Sequence, residues 1–301
     1  MKRFLLAAAV GGFVLAGVAA PGFAQELESN LGALTPENAK GYLSPLPKSL
    51  STTLNMGAFQ SANIPLAGFN FTVGVYAMGS TFDDEDRTYS PTDPPGFQST
   101  APVAAPTVIG DTKAVQQPGQ GGTTLYHPGG FDISQFALAV PQVSIGSVFG
   151  TRAVVRWISV NMDDGIGDVS VFGVGLQHSI KRYLPELPVD LAVGGMYQKL
   201  HVGDDDLLKT DSFHGEVMAS KSFAWLQPYV GVGFDTFSME VNYDQDVGGT
   251  TQKVNVKMDD ENSAHLTAGL LLGFPLVKFN AQIDSGARTG ASIGLRFGTG
   301  N

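Results

Sequence analysis

The chain has 301 residues, 43% of them hydrophobic and 15% charged, with 38 glycines and no cysteine. Lack of cysteine excludes disulfides, thiolate metal centres, cysteine nucleophiles and a lipidated cysteine, and the low charge argues against disorder and coiled coil. Eighteen basic against 28 acidic residues leave a net charge of −10, the wrong sign for a nucleic-acid surface.

Lys2 and Arg3 precede an apolar run from Phe4 to Ala20, followed by Pro21-Gly22-Phe23-Ala24 and a polar stretch from Gln25. A basic start, an apolar middle and small residues before the cut make a secretory signal peptide over residues 1–24. Beyond it, no stretch approaches the ~20 consecutive apolar residues that a membrane-spanning helix needs. The rest of the chain is therefore soluble or crosses a membrane as a closed β-barrel.

Thr35-Pro36-Glu37 supplies an N-cap, a first-turn proline and an acidic first turn, predicting a short helix to about Gly41 that Pro45 and Pro47 end. Residues 25–48 thus form a helical or plug segment, and 49–301 the barrel. Strands are expected over Ser49–Phe59 and Gly68–Met78. Residues 79–130, rich in proline and holding the run Asp83-Asp84-Glu85-Asp86, read as one long loop.

From residue 131 the hydrophobicity alternates with period two. Nine strands follow: Ile133–Ile145, Arg152–Val160, Val169–Arg182, Pro188–His201, Ser212–Phe223, Gln227–Asn242, Ala264–Gly273, Val277–Asp284 and Arg288–Phe297. In the last, Thr289, Ala291, Ile293, Leu295 and Phe297 oppose Gly290, Ser292, Gly294 and Arg296. Short turns alternate with longer acidic connections, the asymmetry of outer-membrane barrels. Phe149, Tyr183, Phe223, Trp225, Tyr229 and Phe274 beside the short turns suggest one aromatic girdle; Trp157, Tyr197, Phe213, Phe237 and Tyr243 suggest the other.

Two early strands plus nine make eleven, whereas bacterial single-chain barrels are even-numbered. The expectation is an all-β, antiparallel transmembrane β-barrel of about 12 strands (10–14), the missing one lying between residues 98 and 115. Ten strands with an early segment packed in the lumen, or a further hairpin within Tyr243–Asn262, also restore parity.

Inward candidates are Arg152, Arg156, Lys181, Asp190, Glu216, Lys278, Asp284, Arg288 and Arg296. They either neutralise one another or line a selective lumen, with the arginines forming a basic stripe for anions. His214 lies on one strand face with Ser212 and Glu216, but a two-residue step of ~7 Å is too long for a Ser–His hydrogen bond. No catalytic residue, metal ligand or cofactor is nominated. His178 and Lys221 fall on the apolar face, where Lys221 could snorkel at a rim.

Tyr42-Leu43-Ser44-Pro45, Val140-Pro141-Gln142, Gly167-Asp168-Val169-Ser170, His178-Ser179-Ile180, Tyr183-Leu184-Pro185, Pro188-Val189-Asp190-Leu191, Tyr197-Gln198-Lys199 and Ala219-Ser220-Lys221-Ser222-Phe223 resemble an uncharacterised bacterial family of predicted outer-membrane proteins. The early helix and long loop look more distantly like the long-chain fatty-acid outer-membrane transporters, which place an N-terminal hatch in the lumen. The final strand is similar to the C-terminal assembly signal of such barrels, although Gly298-Thr299-Gly300-Asn301 follow Phe297. The resemblance implies a barrel and a Gram-negative outer membrane rather than an activity; the expectation for function is a passive channel or transporter for small or apolar solutes, not an enzyme, in contact with outer-membrane lipid and, through its last strand, with the barrel-assembly machinery. A plugged structural or adhesive barrel and a soluble secreted β-sandwich are the competing expectations.

Overall fold

The computed structural model describes residues 23–162, 167–203, 206–247 and 249–299. The expected signal peptide lies outside them except for Phe23 and Ala24, which open the first helix. Among the described residues three helices, α1 (Phe23–Gly32), α2 (Pro36–Leu43) and α3 (Leu46–Asn55), come first. Ten long strands follow: β1 (Asn70–Thr81), β2 (Gln135–Val148), β3 (Thr151–Met162), β4 (Gly167–Ser179), β5 (Asp190–Val202), β6 (Leu208–Ser220), β7 (Leu226–Val247), β8 (Glu261–Gly273), β9 (Val277–Ser285) and β10 (Thr289–Gly298).

Each strand pairs antiparallel with its neighbours in sequence and β1 pairs with β10, which closes the ring; β2 pairs with β3 only over Gln142–Val148. Closure satisfies the backbone groups that a sheet edge would expose. All nine strands expected after residue 131 are present. The barrel has ten strands, not twelve. Between 98 and 115 no strand joins the wall: Ala105–Pro106 pair with Thr88–Tyr89, Ser99 bridges to Gly119, and Val115 opens a short ladder with His127. The strand expected over Ser49–Phe59 is instead helix α3: Leu46, Leu50 and Leu54 recur every four residues, and Pro47 sits in the first turn, where no backbone donor is lost. One further strand, Thr250–Lys257, extends the overhanging end of β7 beyond the barrel.

Burial alternates along the wall, as in the B-e-B-e pattern of β10. Ile293, Ile283, Leu176, Val232 and Leu266 point outward and are each more than half exposed, while Arg296, Gln198 and Asp284 on neighbouring strands point in. So large a continuous apolar exterior is a liability in water and is matched to hydrocarbon. Phe149, Tyr183, Phe223, Trp225, Phe274 and Phe297 stand exposed at the short-turn rim, and Trp157, Tyr197 and Phe213 toward the other. Tyr229, Phe237 and Tyr243 are corrections to the expected girdles. They share the inward parity of Asp235 on β7 and are buried. His178, outward near the short-turn rim, meets Thr151 Oγ1 at 2.9 Å and Tyr183 OH at 3.2 Å, which accounts for its place on an apolar face. Lys221 stands exposed in a rim turn, its Nζ 5.7 Å from the Phe223 ring centre.

The outward belt has a measurable consequence. Ile293→Arg is expected to cost about 2–4 kcal/mol in lipid vesicles, the cost of a cation facing the bilayer midplane. Denaturant titration of the vesicle-embedded protein checks it; an unchanged midpoint contradicts a hydrocarbon-facing exterior.

Candidate functional site

The lumen is filled by the chain's own N-terminal segment. Thr35 caps α2 by accepting from the Asn38 amide at 3.3 Å. The helices α1 and α2 sit under the long-loop rim, where Gln245 Nε2 donates to the Leu34 carbonyl at 2.8 Å and the Tyr42 hydroxyl to that of Gly129 at 3.0 Å. Leu31, Leu43, Leu50 and Leu54 pack against inward Met78, Leu138, Val171, Leu200 and Met239, making an apolar core in that half of the barrel.

From Leu46 the chain descends along the barrel interior. Ser49 and Thr53 meet Ser80 of β1, with oxygens 2.6 and 3.1 Å apart. Below Met56 an irregular segment continues to the short-turn rim, where the Ala62 amide donates to Ser220 Oγ at 3.0 Å and Ser147 Oγ donates to the Pro65 carbonyl. Phe59 presses on β5 so closely that a Cβ at Gly194 would lie 2.7 Å from its ring, a close approach only glycine allows.

Polar wall residues hold this segment by its backbone. Arg156 donates to the Leu54 carbonyl at 2.9 Å, the Met56 carbonyl at 2.7 Å, Gln142 Oε1 at 2.6 Å and Gln198 Oε1 at 3.0 Å. Gln198 Nε2 also donates to Leu54 at 2.6 Å, and Arg152 to the Ser61 carbonyl at 2.8 Å. Charge-assisted bonds of this kind satisfy the carbonyls of a helix end that has left water.

Of the residues singled out from sequence, Arg152, Arg156, Asp190, Glu216, Lys278, Asp284 and Arg296 are buried on the inward face. Arg296 donates to Gln60 Oε1 at 3.2 Å, Lys278 to the Gly298 carbonyl at 3.3 Å. Lys181 is not in the lumen: it lies in a rim turn and pairs with Asp190 at 2.7 Å, because the strand ends at Ser179. Arg288 sits in the β9–β10 turn at the opposite rim, where it pairs with Asp83 at 2.9 Å and with Asp86. It is therefore outside any stripe formed by Arg152, Arg156 and Arg296.

His214 and Glu216 stand out in the sequence, but their main partner does not. Asp235, opposite His214 in the β6–β7 register, places Oδ1 2.7 Å from His214 Nδ1 and Oδ2 2.7 Å from His265 Nδ1. His265 Nε2 lies 3.0 Å from Asp284 Oδ1, which also accepts from Thr267 Oγ1 at 2.7 Å. Ser212 donates to Asn55 Oδ1 at 2.8 Å rather than to the His214 ring. Inward parity was the available signal, since 214, 235, 265 and 284 all fall on the polar faces of adjacent strands.

Residues 88–131 fold over α2 as a cap, with the Val108 amide donating to the Tyr42 carbonyl at 2.8 Å. Within it, burial pushes the Tyr89 hydroxyl up to about 12 and holds His127 below the ordinary histidine range. Gln117 Nε2 donates to Asp93 Oδ1 at 3.3 Å, leaving its Oε1 to accept from His127 Nε2 at 2.8 Å. His127 Nδ1 is buried without a partner among the described residues.

Two outcomes follow from these contacts. Arg156→Met leaves two plug carbonyls and two glutamines short of a donor and is expected to destabilise the barrel by roughly 2–4 kcal/mol, read by denaturant unfolding in detergent micelles. For His127, the folded state resists the second proton, so its stabilising contribution is complete above the ordinary value of 6.5 and is lost as pH falls through that value toward the lowered folded one. Amide exchange in Val115–His127, corrected for intrinsic rates, should therefore accelerate in acid, and His127→Gln should abolish that acceleration.

No curated protein matches the chain in sequence. Among solved structures, a loop L8 deletion mutant of OmpT, an outer membrane protein of Vibrio cholerae, is similar at 11% identity, covering 78% of this chain and 100% of its own, with TM-score 0.27. A BenF-like porin from Pseudomonas fluorescens Pf-5 is 8% identical over 77% of this chain and 98% of its own, TM-score 0.18. The Ralstonia pickettii toluene transporter TbuX is 10% identical over 81% and 94%, TM-score 0.23. Likenesses this weak add nothing to the barrel already described from its strand pairing. A family model matches residues 1–299, and the chain belongs to that family, the Family of unknown function DUF6588.

Proposed function

We propose that the protein is an outer-membrane barrel closed at rest by its own N-terminal segment, and that it passes small or apolar solutes only when that segment shifts. It is a gated conduit rather than an open passive pore or an enzyme. The supporting observation is the character of the wall beside the plug. Below Met56 that wall carries Arg152, Gln177, Glu216, Gln227, Lys278 and Arg296, side chains suited to water. Arg296 Nε and Nη2 and Ser292 Oγ have no partner among the described residues, and buried polar atoms of this kind are met by water. A displaced plug exchanges its hydrogen bonds with such a wall for bonds to water, at a net cost of about 0.5–1.5 kcal/mol each.

The apolar exterior supports outer-membrane lipid as the surroundings, and β10, ending the wall with Leu295 and Phe297, is the strand the assembly machinery would read. One observation favours a permanently plugged, structural barrel instead: Leu50, Leu54 and Phe59 are buried in apolar clusters that resist withdrawal.

A reversible lock separates the two. Because the chain has no cysteine, Ser49→Cys with Ser80→Cys adds a single pair, joining α3 to β1 where the native oxygens lie 2.6 Å apart. In planar bilayers the wild type is expected to be silent with intermittent openings, the oxidised pair silent throughout, and the reduced pair like wild type. A steadily open wild type overturns closure; silence in wild type and reduced pair alike overturns transport. Recovery in a freely soluble fraction without detergent overturns the membrane assignment.

A further inference from the structure

His214, Asp235 and His265 lie on three adjacent strands, β6, β7 and β8, with one candidate ligand atom from each within 4.8 Å of the others. All three are almost wholly buried, and the two rings stand 4.6 Å apart, centre to centre. The rigid wall sets this geometry: His214 is cross-strand partner to Asp235, and His265 lies diagonally opposite it, paired with Gly233.

Hydrogen-bond accounting makes the arrangement unusual. The outer nitrogen of each ring faces a carboxylate of its own: His265 Nε2 is 3.0 Å from Asp284, and His214 Nε2 is 3.6 Å from Glu216. An ionised carboxylate only accepts, so a hydrogen on His265 Nε2 serves Asp284 and the neutral ring then presents its Nδ1 lone pair, whereas the 3.6 Å from His214 Nε2 to Glu216 is too long for a hydrogen bond and fixes no tautomer of His214. Both Nδ1 atoms converge on Asp235, which also only accepts. With His265 held between two buried carboxylates, the cluster requires positive charge, supplied by a further proton or by one divalent cation.

We propose that His214, Asp235 and His265 form a binding site for one divalent first-row transition-metal ion. Two imidazole nitrogens and a carboxylate oxygen are the three-ligand set of zinc sites that keep one position open. The outer carboxylates Asp284 and Glu216 stand where second-layer acceptors fix a metal-binding histidine, and Asp284 is itself held by Thr267 and by Gln282 Nε2 at 2.7 Å. Metal bonds of about 2.0–2.1 Å set neighbouring ligand atoms about 3.3 Å apart, so the ion opens each 2.7 Å contact by roughly half an ångström. The plug borders the cluster. A Cβ built on Gly286 would lie 3.4 Å from Asp235 Oδ2, 3.5 Å from His265 Nδ1 and 3.6 Å from Thr52 Oγ1 of α3, and Asn55 Nδ2, on the same helix, has no partner among the described residues.

Because the site is enclosed, it is loaded during folding. The full chain is unfolded in chelator, refolded into detergent with zinc chloride, stripped of loosely held metal on a chelating resin, and its zinc counted by mass spectrometry. About one zinc per chain is expected in the wild type. His265→Gln and Asp235→Asn should fall to background, and Asp284→Asn should weaken retention about 10- to 100-fold. Migration of the unheated protein on a gel reports whether each variant has closed its barrel. Should a variant fail to close, the wild type decides alone through the visible absorption of cobalt in place of zinc. Wild type holding no more zinc than a His214→Gln/His265→Gln double variant, or showing no protein-bound cobalt spectrum, overturns the site and leaves protons as the compensating charge. Metal content does not depend on conductance, so this outcome is independent of gating.

Discussion

The structure depends on one constraint: a closed antiparallel wall separates two surroundings, and successive side chains must alternate between them. Ten antiparallel pairings close the ring and satisfy most of the backbone groups of the wall within it. The outward positions in the middle of the wall then go to residues such as Ile293 and Leu176, and polar or charged side chains such as Arg156, Gln198 and Asp284 are turned inward. A ten-stranded ring encloses a narrow space, and the inward charges need partners close at hand.

The N-terminal segment supplies those partners. Its upper part, α1 to α3, presents leucines to the apolar half of the lumen; its lower part presents bare carbonyls to arginines and glutamines of the polar half. The change of character falls at Leu54–Met56, where α3 ends and Arg156 takes up the carbonyls the helix leaves unpaired. Barrel and plug are in this sense one folding unit. Neither the buried Arg156 nor the end of α3 would be stable without the other.

Register carries the same logic into chemistry. Residues distant in sequence, such as His214 and His265, become neighbours because β7 lies between β6 and β8 and puts Asp235 midway between them. The cluster is held by the wall, not by a loop, and α3 lies across it, which ties the plug's position to whatever charge occupies the pocket.

The sequence by itself determined the wall. Period-two alternation over nine segments after residue 131, turn lengths and the capped helix at Thr35 were all legible because each is a local pattern of fewer than about fifteen residues. What it could not determine were features that depend on partners far along the chain. Leu50, Thr52, Leu54 and Met56 alternate, so that stretch reads as a strand until the lumen, which offers no edge to pair with, selects the helix also present in the Leu46-Leu50-Leu54 spacing. Tyr229 and Phe237 resemble girdle residues until the parity of β7 turns them inward. Strand number, the retreat of Lys181 and Arg288 to the rims, and the meeting of His214, Asp235 and His265 were decided by tertiary structure, since closure and register are properties of the whole ring and no single segment contains them.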